Sequence, residues 1–225
     1  MSLLRRWFDP IRSSWFYQKP SRQSVLSTEH GLSVYLRLDD VYSYLAVQQL
    51  PQLEDILADE LKPLTVVISR QSGDAPNQMS AAEWQNYCIQ DAQILAKQHR
   101  FSFHDTPEPP TAEALMQAEA ILRHTPLRGQ DFLYLLEDVF HMLWQKQSGK
   151  LRTLYAMASR HHQIQDFPER VFNDAPVLAS YFEFGGRKYH AVDDLLRLTR
   201  RLKQQKLLTD NPIFLINHID WREHL

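Results

Sequence analysis

The chain has 225 residues, of which 44% are hydrophobic and 23% charged, and it carries a formal charge of -2 at pH 7; this is the composition of a globular protein long enough to bury a core. The near-neutral balance offers no overall attraction to nucleic acid or to an anionic membrane surface. The single cysteine, Cys88, excludes an internal disulfide, a Cys-x-x-Cys redox pair and a Cys-rich metal site, and it fits a reducing, cytoplasmic compartment.

Residues 1–30 read as an N-terminal arm in which Arg5, Arg6 and Arg12 are interleaved with Leu3, Leu4, Trp7, Phe8, Ile11, Trp15 and Phe16. Asp9-Pro10 breaks the tract and no continuous apolar stretch follows, so it does not have the form of a secretory signal. Such an arm packs on its own domain, packs on a second subunit of a homodimer, or lies on a membrane surface. The longest apolar runs, such as Ile213 to Ile216, fall far short of the roughly 20 residues a transmembrane helix needs.

Leu32 to Leu38 alternates apolar and polar residues and predicts a first strand, ended by Asp39-Asp40. From Tyr42 onward, Leu45, Leu50, Leu53, Ile56, Leu57 and Leu61 recur at helical spacing, in a helix that Pro51 must kink or interrupt. Leu64 to Ser69 predicts a second strand, and strand-helix-strand over this span is the spacing of a parallel pair. Ser80 and Glu83 form a capping-box pattern opening a helix to about Gln98. A connector with Pro107, Pro109 and Pro110 leads to three further helical stretches, Thr111 to His124, Gly129 to Lys146 and Lys150 to Ser159.

Strand patterns then return. Val177 to Phe184 and Arg187 to Tyr189 flank Gly185-Gly186, a pair suited to a tight turn with positive φ, and Val192 to Lys206 closes as a helix. The order β-α-β, helical block, β-β-α predicts an α/β thioredoxin-like fold with an all-helical insertion. The core falls at 31–70 and 170–207, the insertion at 71–169 and a C-terminal tail at 208–225.

Particular residues carry a family resemblance. Tyr42-Ser43-Tyr44-Leu45-Ala46 resembles the Ser-Pro-Tyr-Ser-Tyr-Leu-Ala start of the first helix in 2-hydroxychromene-2-carboxylate isomerases and kappa-class glutathione transferases, both in the DsbA-like thioredoxin superfamily. Tyr87-x-x-x-Asp91 with Ala96 resembles a stretch in their insertion. Ala175-Pro176-Val177 stands where they place a cis-proline, and Tyr189-His190-Ala191-Val192-Asp193-Asp194-Leu195 resembles the segment opening their last helix. The resemblance implies glutathione as cofactor and a small aromatic or hydrophobic acid as substrate of an isomerase or transferase. The sequence departs from the pattern where the family serine at the helix start aligns with Asp40, the next proline with Val41, an acidic strand residue with Arg37, and two arginines with Ile94 and Asp194. These replacements motivate the alternative of a non-catalytic ligand-binding or interaction protein of the same fold.

Asp40 and Ser43 are the candidate catalytic residues, and Tyr42, Ala175, Pro176, His190 and Asp193 the candidate binding residues. Asp40 serves either as an ordinary helix cap that occupies the amides a thiolate would use, or as a general base in a cleft between core and insertion. Tyr42 and Ser43 either hydrogen-bond a substrate or pack and bond locally. Asp193 either takes a ligand amine, as the resemblance implies, or caps the last helix. His190 falls beside the cleft by the same alignment, with a packed ring as the alternative. Cys88, mid-helix, reads as a small core residue. His161-His162 are adjacent and point apart, and no His pair stands at helical i, i+4 spacing with an acid, so no metal site is expected. Neither a Gly-rich phosphate loop nor a Gly-x-Ser-x-Gly motif occurs.

Overall fold

Every residue of β1 (Leu32–Arg37) is buried, as suits the middle strand of a sheet covered on both faces. The computed structural model describes residues 31–70, 72, 75, 79–105, 107–160 and 167–209. The arm at 1–30, the His161-His162 pair and the chain from 210 onward lie outside them. β1 is joined by β2 (Thr65–Ser69), β3 (Arg170–Asn173), β4 (Tyr181–Phe184) and β5 (Arg187–His190) in one sheet of order β3-β2-β1-β4-β5. β1 pairs parallel with β2 and antiparallel with β4, with Val34 opposite Val66 on one side and Phe182 on the other. β2 pairs parallel with β3, and β4 antiparallel with β5. Strand order β2-β1-β4-β5, with one parallel and two antiparallel pairings, is the thioredoxin-like core expected from the sequence.

Two helices connect β1 to β2: α1 (Val41–Val47) and α2 (Leu50–Ile56). Pro51 separates them by sitting in the first turn of α2, where its missing N–H costs nothing. Between β2 and β3 the chain forms α3 (Ala81–His99), α4 (Ala112–His124), α5 (Gly129–Trp144) and α6 (Ser148–Ala158), the all-helical insertion. The capping box at Ser80 and Glu83 is made in both directions. β5 leads into α7 (Leu195–Gln204).

Because side chains alternate along a strand, Leu32, Val34 and Leu36 join α1, α2, α5 and α7 in the main core. Tyr35 falls on the opposite face with Val67 and Val177. Among the described residues no helix is long and apolar enough to cross a membrane.

Three boundaries differ from expectation. β3 is an additional edge strand beside β2, in a stretch the sequence reading left without one. The strand expected from Val177 starts only at Tyr181. Val177 makes an isolated bridge to Ser72, and the carbonyls of Val177 and Leu178 turn toward the Arg37 guanidinium, accepting Nη1 at 2.7 and 3.2 Å. The last helix begins at Leu195 rather than Val192, because residues 191–194 form a turn in which Asp194 Oδ2 accepts the His190 amide at 3.0 Å.

Candidate functional site

Asp40 stands between β1 and α1 in extended conformation, the geometry of an N-cap. Its Oδ2 accepts the Ser43 amide at 2.9 Å and the Ser43 hydroxyl at 2.8 Å, while Oδ1 takes the Tyr42 amide at 3.4 Å. Oδ2 also accepts the Ser180 amide at 3.1 Å, from the residue just ahead of β4. One carboxylate thus ties the first turn of α1 to the other half of the core. Burial pushes its carboxyl above the usual range, against the opposing pull of Arg37 and the Ser43 bonds.

Ser43 is fully consumed locally: besides donating to Asp40, its Oγ accepts the Arg37 amide at 2.9 Å. The Tyr42 hydroxyl turns inward to donate to Asp91 Oδ2 at 2.7 Å. The edge of the His190 ring meets the Tyr42 ring at 5.0 Å between centroids. His190 is buried; its Nδ1 accepts the Asp193 amide at 3.3 Å and lies 3.4 Å from Asp193 Oδ2. Asp193 is therefore not the N-cap of α7, a position that Asp194 takes.

Pro176 departs from the expectation attached to it. The cis peptide among the described residues is Lys62-Pro63, and Ala175-Pro176 is trans. Both Ala175 and Pro176 are exposed, with the Ala175 carbonyl accepting the Ser69 hydroxyl. The position next to β4 belongs to Ser180, because the segment between Pro176 and the strand is spent wrapping Arg37.

A cavity of about 210 Å³ opens at this junction, between the core and the insertion. Arg37, Asp39, Asp40, Val41 and Leu178 come from the core; Trp84, Cys88, Ile89 and Trp144 come from α3 and the end of α5. Of the candidate residues named from sequence, Asp40 alone is on its wall. Arg37, which in sequence stands out only as a departure from the family pattern, lines the cavity. Its Nε donates to Asp39 Oδ1 at 2.9 Å and Nη1 donates to the carbonyls of Val177 and Leu178. Burial works to lower its pKa, but Asp39 and Asp40 prevail and hold the guanidinium charged. Trp144 is only 1% exposed, and its indole Nε1–H has no acceptor among the described residues. The wall thus sets the indole side chains of Trp84 and Trp144 beside the Arg37 guanidinium.

Among the described residues, no three His, Cys, Asp or Glu side chains are grouped to hold a metal ion. Strand order and insertion together define a thioredoxin-fold protein of DsbA-like layout. No protein-family model and no curated protein matches the sequence. Among solved structures the chain is similar to a 2-hydroxychromene-2-carboxylate isomerase, at 14% identity and a TM-score of 0.46, over 78% of this chain and 96% of that one.

Proposed function

We propose that this chain binds a small aromatic or hydrophobic acid in the cavity at the head of α1 and does so without glutathione. The observation that carries this reading is the engagement of Asp40 by the Tyr42, Ser43 and Ser180 amides. A glutathione thiolate does not fit there: it would meet a carboxylate in place of open donors. Support for an acidic ligand comes from the Arg37 guanidinium, which shares the cavity wall with the indole side chains of Trp84 and Trp144.

Thermal unfolding in the presence of small aromatic carboxylates tests the reading. A bound acid raises Tm by mass action and changes tryptophan fluorescence, Trp84→Ala removes both responses, and glutathione produces neither. A Tm increase with glutathione, or none with any aromatic acid, defeats it.

A second reading, an isomerase using Asp40 as acid and base, draws on that carboxyl's place on the wall and its raised pKa. In that case Asp40→Asn abolishes turnover while leaving ligand-induced stabilisation in place.

A further inference from the structure

We propose that the second face of the sheet, the one carrying Tyr35 and Val67, is a docking surface for the N-terminal arm of the same chain, seated through Trp7, Phe8, Trp15 and Phe16. The proposal is independent of what occupies the cavity.

All seven helices contribute their buried apolar residues to the core on the Val34 face. The cluster on the other face consists of Tyr35, Val67 and Val177, with Val171 and Tyr181 packed against it, and it contains no helix residue. Its surface is aromatic: Tyr35 stacks on Tyr181 at 4.5 Å between centroids, and the Lys188 ammonium lies over the Tyr181 ring at 4.4 Å. A sheet with helices on one side alone leaves its other side wet. Yet Val67 is 1% exposed, and Ser33, two residues before Tyr35 and so on the same face, only 7%. This face is therefore covered, and the described helices do not supply the cover.

Area and connectivity name the occupant. The face measures about 20 Å along β1 and about 15 Å across β3, β2, β1 and β4, or roughly 300 Å². Aromatic side chains bury about 150–250 Å² each, so a few of them fill it. A second copy of the chain would need about 800 Å² per partner for a stable interface. The arm runs into β1 beside Ser33, and the stretch 16–31 spans up to about 50 Å when extended, so its aromatic residues reach every part of the face. The chain beyond Thr209 departs from the other side: the Thr209 amide donates to the Ile56 carbonyl at 2.8 Å, and Leu208 bridges Leu57, a residue of the main core. The stretches 71–78 and 161–166 contain no Trp, Phe or Tyr.

Photocrosslinking in the full chain tests the docking. Trp7 or Trp15 is replaced by p-benzoylphenylalanine, and mass spectrometry identifies the peptide that the activated ring captures. The docked arm gives links within one chain to β2, or to the β4–β5 hairpin. Links to the helices, links between isotopically distinct chains, or no link from either position overturn the proposal. A second measurement reads the cover itself. With Cys88→Ala, Thr65→Cys leaves a single thiol at a half-buried position of this face. Replacing Trp7, Phe8, Trp15 and Phe16 by Ser is expected to raise its alkylation rate ~10-fold or more by removing local protection, whereas Ser at Ile213, Phe214, Leu215 and Ile216 leaves the rate unchanged. The reverse pattern assigns the face to the C-terminal tail, and equal rates in both variants deny the arm its role; either overturns the proposal. A urea melt reports that each variant is folded, and where the arm variant is not, the crosslinks decide alone.

Discussion

The Tyr42 hydroxyl donates to the Asp91 carboxylate at 2.7 Å, joining the first turn of α1 to the middle of α3 through a buried bond. The bond fixes the insertion against the core at the position where the cavity opens. Tyr42→Phe removes the donor without changing ring volume and leaves a buried carboxylate short of one partner. The expected cost is ~1–3 kcal/mol, read as a lower urea midpoint at constant slope. Adding Asp91→Leu removes the other half of the same bond, so the double variant is expected to lose less than the sum of the single changes.

The elements visible beforehand were those whose signals are local. Ser80 and Glu83 announce the start of α3 through a reciprocal cap, and Gly185-Gly186, at φ 55 and 70, turn β4 into β5. β3 was missed because four residues pairing in parallel with β2, about a hundred positions away in sequence, leave no periodicity of their own. The site was legible only at Asp40. Its wall is assembled from the end of β1, one face of α3 and the last residue of α5, and composition does not reveal that convergence. Arg37 carried a usable signal: a charged residue ending a strand of otherwise strand-forming residues has to be paired when buried. Pro176 misled because matching a proline fixes no distance to the strand that follows it.

Asp40 ties stability to pH. Its carboxyl is raised above 3.8 in the folded protein, mainly by burial, so across the interval between the unfolded and folded values the native state holds more protons. Stability from this group therefore falls as pH rises through that interval and stays at the lower level beyond it. Asn keeps an acceptor for the amides of Ser43 and Ser180 but does not titrate. The difference in Tm between Asp40→Asn and the parent is expected to move in favour of Asn from pH 4 toward neutrality. A parallel pair of Tm curves rules out this assignment.

Tyr35 sets a second limit, in alkali. Its ring stacks on Tyr181 at 4.5 Å between centroids. Burial first, and then the Glu183 charge, push its hydroxyl from 10.0 to about 12. The unfolded chain releases this proton near pH 10 and the folded chain only near pH 12, so the native state loses stability progressively between the two. Glu183→Gln removes the charge that raises it. The absorbance of tyrosinate in the variant is expected to develop at lower pH, with the onset of alkaline unfolding displaced upward.

Arg170 links the sheet to the insertion. From β3 it donates Nη1 to the Leu122 carbonyl at 2.9 Å, and both Nη1 and Nη2 to the Thr125 carbonyl at 3.2 Å, at the C-terminus of α4. Its guanidinium also lies over the rings of Phe132 at 4.7 Å and Phe167 at 4.6 Å. Arg170→Met fills similar volume but leaves the carbonyls that end α4 without their donor and removes both cation–π contacts, for an expected loss of ~2–4 kcal/mol. Arg170→Lys retains the charge but lacks the planar fork that spans two carbonyls and stacks between rings, so it recovers less than half of that loss. Hydrogen exchange places the effect: in Arg170→Met the amides of β3 and of the last turn of α4 lose protection together, while those of β4 and β5 keep it. Loss confined to one of the two elements contradicts the link.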